Sequence, residues 1–231
     1  MFREIVRVGL LLGLVATVAC GKKSPDAAPD ASATAPAVEP AAESAAAGAE
    51  AADPAALEAV QKKRAVERAL AEQAILDEAH GQWAVAASAS STYSAEKDAA
   101  STDGYAPMQA TGKPDVEHYG DDAHAWAAER ADGGIEWLET SFATPVRARE
   151  LRVRQNSMPG AIIKVELIDE AGGRHTIWEG TDDTVYESGE IQWFVRSFAP
   201  TAYKTRGARL TLATNAVDGW NEIDAVQLVG E

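Results

Sequence analysis

Apolar and polar positions along this chain fall into four successive patterns, each predicting a different state. First comes an unbroken apolar run at residues 8–19, preceded by Arg3 and Arg7 and closed by Lys22 and Lys23. A bilayer-spanning helix needs about 20 apolar residues, so this stretch is too short to span and reads as the core of a secretory leader. Residues 22–52 show no period: they are almost wholly Ala, Pro, Glu, Asp, Ser and Gly, with too little apolar bulk to offset the entropy of ordering a chain. That tract predicts a disordered tether with a mean reach of roughly 30 Å. Strong helix formers then fill residues 55–80, with Asp53 placed as a cap, Pro54 at the first helical position and Gly81 as the stop. The apolar stripe of this short α-helix (Val60, Val66, Leu70, Ala74) is thin, Lys63 and Glu67 interrupt it, and no heptad persists. A solvated stalk is the first reading of it, and a helix for self-association or partner docking the second.

Past Gly81 the period shortens to two. Strands are predicted at residues 135–142, 148–155, 161–169, 175–179, 191–198, 208–213 and 223–229. Within them Leu151 and Val153 alternate with Arg152 and Arg154, and Leu210 and Leu212 with Arg209 and Thr211, so each strand offers one apolar face that needs a second sheet to cover it. Turn residues separate them at Met158-Pro159-Gly160, Glu170-Ala171-Gly172-Gly173 and Asp218-Gly219. The expected class is all-β, a β-sandwich preceded by the tether and the helix. Four segments result: leader 1–19, tether 20–52, helical stalk 53–81 and sandwich 82–231.

Composition narrows the partners. A formal net charge of -15 opposes binding to phosphate backbones, which requires clustered Lys and Arg, so nucleic acid is excluded as a partner. The single cysteine, Cys20, closes the leader, leaving neither a disulfide nor a thiol site for the folded part. Its setting, Thr17-Val18-Ala19-Cys20-Gly21, resembles a bacterial lipobox, with Thr17 where that motif usually carries Leu. The resemblance implies lipidation of Cys20, a membrane anchor in a bacterial cell envelope, and, with Gly21 following, the outer membrane. Two or three acyl chains at ~0.8 kcal/mol per buried methylene would make release negligible.

A second resemblance lies in the order of Ala87-Ser88-Ala89-Ser90-Ser91, Gln109-Ala110-Thr111-Gly112-Lys113-Pro114-Asp115, Ala125-Trp126, Trp137-Leu138-Glu139, Pro159-Gly160-Ala161 and Gly219-Trp220-Asn221-Glu222-Ile223-Asp224. The series is similar to galactose-binding-like domains of the discoidin, or coagulation factor type C, superfamily. It implies a jelly-roll β-sandwich over residues 82–231, with ligand loops at one end. Many such relatives hold a structural calcium between an early loop and an acidic residue opening the last strand. The matching positions here are Asp115 with Glu222, and Asp121, with a solvated acidic loop as the other reading of the 115–124 segment. Zinc through His118 and His124 is disfavoured, because their spacing of six is not the i, i+4 pairing of one helical face.

Loop aromatics and amides are the remaining candidates, since a ring offers a sugar a flat apolar face. Trp220 and Asn221 precede the last predicted strand, Gln155 and Asn156 end an earlier one, and these four are the expected ligand contacts. Tyr93, Tyr105 and Tyr119 fall in irregular sequence, whereas Trp126, Trp137, Trp178 and Trp193 fit core or sheet surface. No Gly-x-Ser-x-Gly, His-Glu-x-x-His or phosphate-cradling glycine loop is present, so no enzymatic activity is expected. The resulting expectation is a lipid-anchored envelope module that binds a glycan or protein partner through its end loops. The alternative is a structural lipoprotein bracing an envelope complex, with no small ligand.

Overall fold

The computed structural model describes residues 53–98 and 100–231. The leader, Cys20 and the tether lie outside the described residues.

Helix α1 (Pro54–Leu76) begins where Asp53 Oδ1 accepts the Ala55 N–H at 3.1 Å and Pro54 occupies the first turn. It ends at Leu76, short of Gly81, because Gly81 already belongs to a strand. No α1 residue is buried, and no described helix is long and apolar enough to cross a membrane. Ion pairs hold α1 to the sandwich: Arg68 to Glu187 (2.7 Å) and Glu190 (3.0 Å), and Glu72 to Arg154 (3.0 Å). Its last turn is tied by Gln227 Nε2 donating to the Ile75 carbonyl at 3.1 Å.

Nine antiparallel strands follow: β1 (Gly81–Ala89), β2 (Trp126–Ala127), β3 (Ile135–Val146), β4 (Ala148–Ser157), β5 (Ile162–Asp169), β6 (Arg174–Glu179), β7 (Gln192–Ser197), β8 (Thr205–Ala213) and β9 (Glu222–Gly230). One sheet runs β6-β5-β8-β3-β1 and the other β1-β9-β4-β7, with β2 beside β9. Strand β1 serves both: Gly81, Gln82 and Trp83 pair with β9, a bulge intervenes near Ala84, and the remainder pairs with β3. Such a bulge lets one strand turn the corner between packed sheets. Sequence periodicity does not predict β1, whose Ala-rich run lacks the branched and aromatic residues typical of strands.

The two sheets enclose Leu138, Leu151, Val153, Val165, Leu167, Phe194, Leu210, Leu212, Val226 and Leu228, all fully buried, together with Trp126. Each large aliphatic or aromatic side chain here contributes about 1.5–3 kcal/mol by leaving water. The inward alternation of Leu151/Val153 and Leu210/Leu212 is as the sequence predicts, and Arg152 and Arg209 are half-buried on the outer faces. Arg154 departs from that alternation. Only 7% exposed, it is covered by α1 and by loop 115–124, with Nη1 donating to Asp224 Oδ2 (2.5 Å) and to the Val116 carbonyl (2.7 Å). Every residue of β9 is buried, because the helix end and this loop cover its outer face. Of the remaining tryptophans, Trp137 lies under Arg209 (3.9 Å), Trp178 packs edge-on against Phe194, and Trp193 meets Trp83.

Candidate functional site

The start of β9, the end of β1 and strand β2 meet at one end of the sandwich, where Tyr93, Tyr105, Asp121, Ala127, Trp220 and Glu222 line a pocket of about 90 Å³. A backbone ladder fixes its walls. Tyr93 N–H donates to the Ala127 carbonyl (2.9 Å), Ala127 N–H to that of Tyr105 (3.4 Å), and Tyr105 N–H to that of Ala123 (3.0 Å). Thr92 Oγ1 adds a bond to the Tyr105 carbonyl at 2.7 Å. Trp220 reaches the same ladder through Nε1, which donates to the Ala128 carbonyl at 3.2 Å. Its backbone approach is set by Gly219 (φ +98°), whose N–H donates to Asp132 Oδ1 at 2.8 Å.

Three rings stand against one another. Tyr93 is edge-on to both Tyr105 (centroids 5.2 Å) and Trp220 (5.3 Å), the arrangement favoured by aromatic quadrupoles. Trp220 remains 40% and Tyr93 51% exposed, so both offer ring surface to solvent while Tyr105 lies deeper. Tyr105 adopts φ +64°, a left-handed conformation unfavourable for an aromatic residue.

Two carboxyls adjoin the rings, Asp121 exposed and Glu222 buried. Asp121 accepts the Tyr105 hydroxyl at 3.0 Å, and burial followed by that bond pushes the phenol up to about 12, so it stays a donor. Glu222 is 1% exposed: Oε2 accepts from Asn156 Nδ2 (2.5 Å) and from the Asp122 N–H (3.2 Å), while Oε1 is buried without a partner. Burial raises the Glu222 carboxyl to about 7; Asn156 and the Asp122 amide oppose this, and the adjoining Asp121 carboxyl adds to it.

The structure divides the residues singled out in the sequence. Trp220, Asp121 and Glu222 line the pocket. Gln155, Asn156 and Asn221 lie next to it but under the surface, and their amides face inward. Gln155 holds Tyr186 (3.3 Å) and the Gly160 amide (3.4 Å), Asn156 bridges the Gly120 carbonyl (2.9 Å) to Glu222, and Asn221 Nδ2 holds the Met158 carbonyl (2.6 Å). They build the floor and loops, not the exposed face: at 0–4% exposure their bonds run to the protein, although Oδ1 of Asn156 and of Asn221 meets no donor. Asp115 meets β9 through its backbone amide, bonded to Asp224 Oδ1 at 3.3 Å, in an adjoining cluster centred on Arg154. Asp115, Asp121 and Glu222 therefore do not form one metal-ligating group, and among the described residues no set of three or more His, Cys, Asp or Glu does. A calcium ion needs six to eight oxygens, and of these three carboxyls only those of Asp121 and Glu222 lie together, so the residues as placed do not supply its shell. His124 pairs instead with Asp122 (2.8 Å), which raises the imidazole and lowers the carboxyl. Tyr93 and Tyr105 are the pocket residues that the sequence offered only as loop aromatics; nothing in the local pattern tells that strand β2 joins them.

Two packed antiparallel sheets with loops gathered at one end define a jelly-roll β-sandwich. Residues 72–231 match the family model described as Pappalysin-1, SD scarf domain, C-terminal, and the chain belongs to that family. Among solved structures it is similar to chitosan-binding module 1 from a chitosanase/glucanase of Paenibacillus sp. IK-5 (14% identity, TM-score 0.44, covering 62% of this chain and 93% of that one). It is also similar to the family 32 carbohydrate-binding module from C. perfringens NanJ (14%, 0.43, 64% and 98%). A third similar structure is allantoicase from Saccharomyces cerevisiae (10%, 0.45), of which the match covers 44% and which takes in 67% of this chain. No curated protein matches the sequence.

Proposed function

We propose that this protein is a lipid-anchored binding module of a bacterial cell envelope that recognises a glycan through the loop-end pocket. One observation carries the reading: two half-exposed rings, Tyr93 and Trp220, adjoin paired carboxyls on a hydrogen-bonded ladder, which supplies both a stacking surface and acceptors for sugar hydroxyls. Binding is favoured over hydrolysis. Asp121 and Glu222 are close enough to hydrogen-bond, whereas glycosidase carboxyl pairs stand at least about 5 Å apart to flank a scissile bond. The anchor rests on the lipobox-like run around Cys20, and the tether would hold the folded domain clear of the headgroups.

Glycan-array screening of the wild-type domain and of Trp220→Ala and Tyr93→Ala tests the binding. Specific hits that weaken about tenfold or more in both variants are expected, as for loss of a stacking ring. A folded domain that binds no glycan, or binds equally well without Trp220, overturns it. The anchor is tested by palmitate labelling and membrane fractionation of Cys20→Ser, in which a wild-type chain already unlabelled and soluble is the refuting result.

A further inference from the structure

The most buried carboxyl oxygen of the pocket meets no N–H or hydroxyl donor of the protein. Glu222 Oε1 is buried next to the aromatic rings, and the carboxylate of Asp121 lies beside it. Only the proton that burial keeps on the Glu222–Asp121 pair completes it, and a cationic donor can take that proton's place. The pocket lining includes no Lys, Arg or His, so no side chain of the lining competes for the position.

We propose that this subsite takes the protonated amine of an unacetylated amino sugar, the ammonium seated against Asp121 and Glu222 and the pyranose ring outside on Trp220 and Tyr93. The proposal rests on the glycan-binding reading above and names its ligand class. Volume argues for the division: about 90 Å³ admits an ammonium and its neighbouring carbons, not a whole sugar ring, which must stay at the rim where Trp220 and Tyr93 are exposed. Electrostatics argues for the charge. An ammonium between aromatic faces and carboxylates gains both cation–π attraction and charge-assisted hydrogen bonds. The net charge of -15 adds long-range attraction for a cationic polysaccharide and none for a neutral one. An N-acetyl group fits poorly, since it is larger, carries no charge and brings a carbonyl acceptor to a site lined by acceptors.

The test is calorimetry with three tetrasaccharides at about pH 6 and low salt: glucosamine, N-acetylglucosamine and galactose oligomers. We expect the glucosamine oligomer to bind about tenfold or more tightly than the other two, with affinity falling as salt rises. Asp121→Asn should remove most of that preference, and so should Glu222→Gln, with both variants checked for cooperative melting. Because Glu222 holds its proton near neutrality, seating a cation should also release a fraction of a proton, visible as a buffer-dependent enthalpy that Glu222→Gln abolishes. Equal binding of the acetylated and unacetylated oligomers overturns the inference, as does full amine preference in folded Asp121→Asn. If neutral sugars bind through Trp220 and amines gain nothing, the glycan reading stands and this inference falls. If no saccharide binds, both fall.

Discussion

Replacing Glu222 by Gln should make the domain more stable, not less, and only above mildly acidic pH. The wild-type carboxyl is raised from its ordinary 4.5 to about 7, chiefly by burial. Between those two values the folded protein keeps a proton that the unfolded chain has released, so stability declines as pH climbs through the window. Shifts of this size correspond to a ceiling of about 3 kcal/mol lost by pH 8, since each unit is worth about 1.4 kcal/mol. Gln keeps an acceptor oxygen for Asn156 Nδ2 and the Asp122 N–H, turns its amide hydrogens toward Asp121, and carries no charge to desolvate. At about pH 8 the variant should therefore melt up to roughly 6–12 °C above wild type, while near pH 4.5 the two should nearly coincide. Urea and thermal denaturation of both proteins across that range read the difference directly, and subtraction removes carboxyls that titrate identically in each, such as Asp169 and Asp182. A variant less stable than wild type at pH 8, or an offset independent of pH, refutes the argument.

Three further outcomes are expected. Asp224→Ala leaves the buried Arg154 guanidinium, whose Nε already lacks a partner, only the half-exposed Glu72 and the Val116 carbonyl, and should lose about 2–3 kcal/mol in urea melts, most of it restored when Arg154 is also changed to Leu. Arg68→Ala removes pairs to Glu187 and Glu190 that are well exposed on both sides, so its denaturation midpoint should move by less than about 1 kcal/mol, although amide exchange in α1 should quicken. Treatment with a calcium chelator should leave the melting temperature unchanged, because the Asp121 and Glu222 carboxyls without that of Asp115 do not supply the ion's shell; a drop that calcium restores would show that the 115–124 loop rearranges around an ion.

The sandwich was legible because its two faces differ. Leu151, Val153, Leu210 and Leu212 point into a dry interior while their neighbours do not, and period two survives in the sequence. Strand β1 was not, because its conformation is imposed by β3 on one side and β9 on the other and owes little to its alanines. Arg154 misled for a related reason: an arginine alternating with valine reads as solvent-facing until a helix and a loop from elsewhere in the chain are laid over it. At the site, Trp220 could be named as a loop aromatic, and Asp121 and Glu222 only as calcium ligands implied by resemblance, but which amides would be spent on scaffolding could not. Gln155, Asn156 and Asn221 look as available in one dimension as Trp220 does; burial, which only the folded sheet decides, separates them.

Two local rules are broken in this protein at the same place. Tyr105 holds a left-handed backbone conformation that costs an aromatic residue of order 1 kcal/mol, and Glu222 holds a carboxyl where an uncharged amide would be more stable. Neither residue belongs to the apolar core, which other side chains fill. Both are maintained by a ladder through Ala127 that fixes three rings and two carboxyls before any ligand arrives, so the ordering entropy of the loops is met during folding and not during binding. Strain and a buried carboxyl that coincide on one preorganised pocket support the proposed binding reading over the bracing one. That coincidence favours the loop end, and not the polar helix with its ion pairs, as the proposed ligand site.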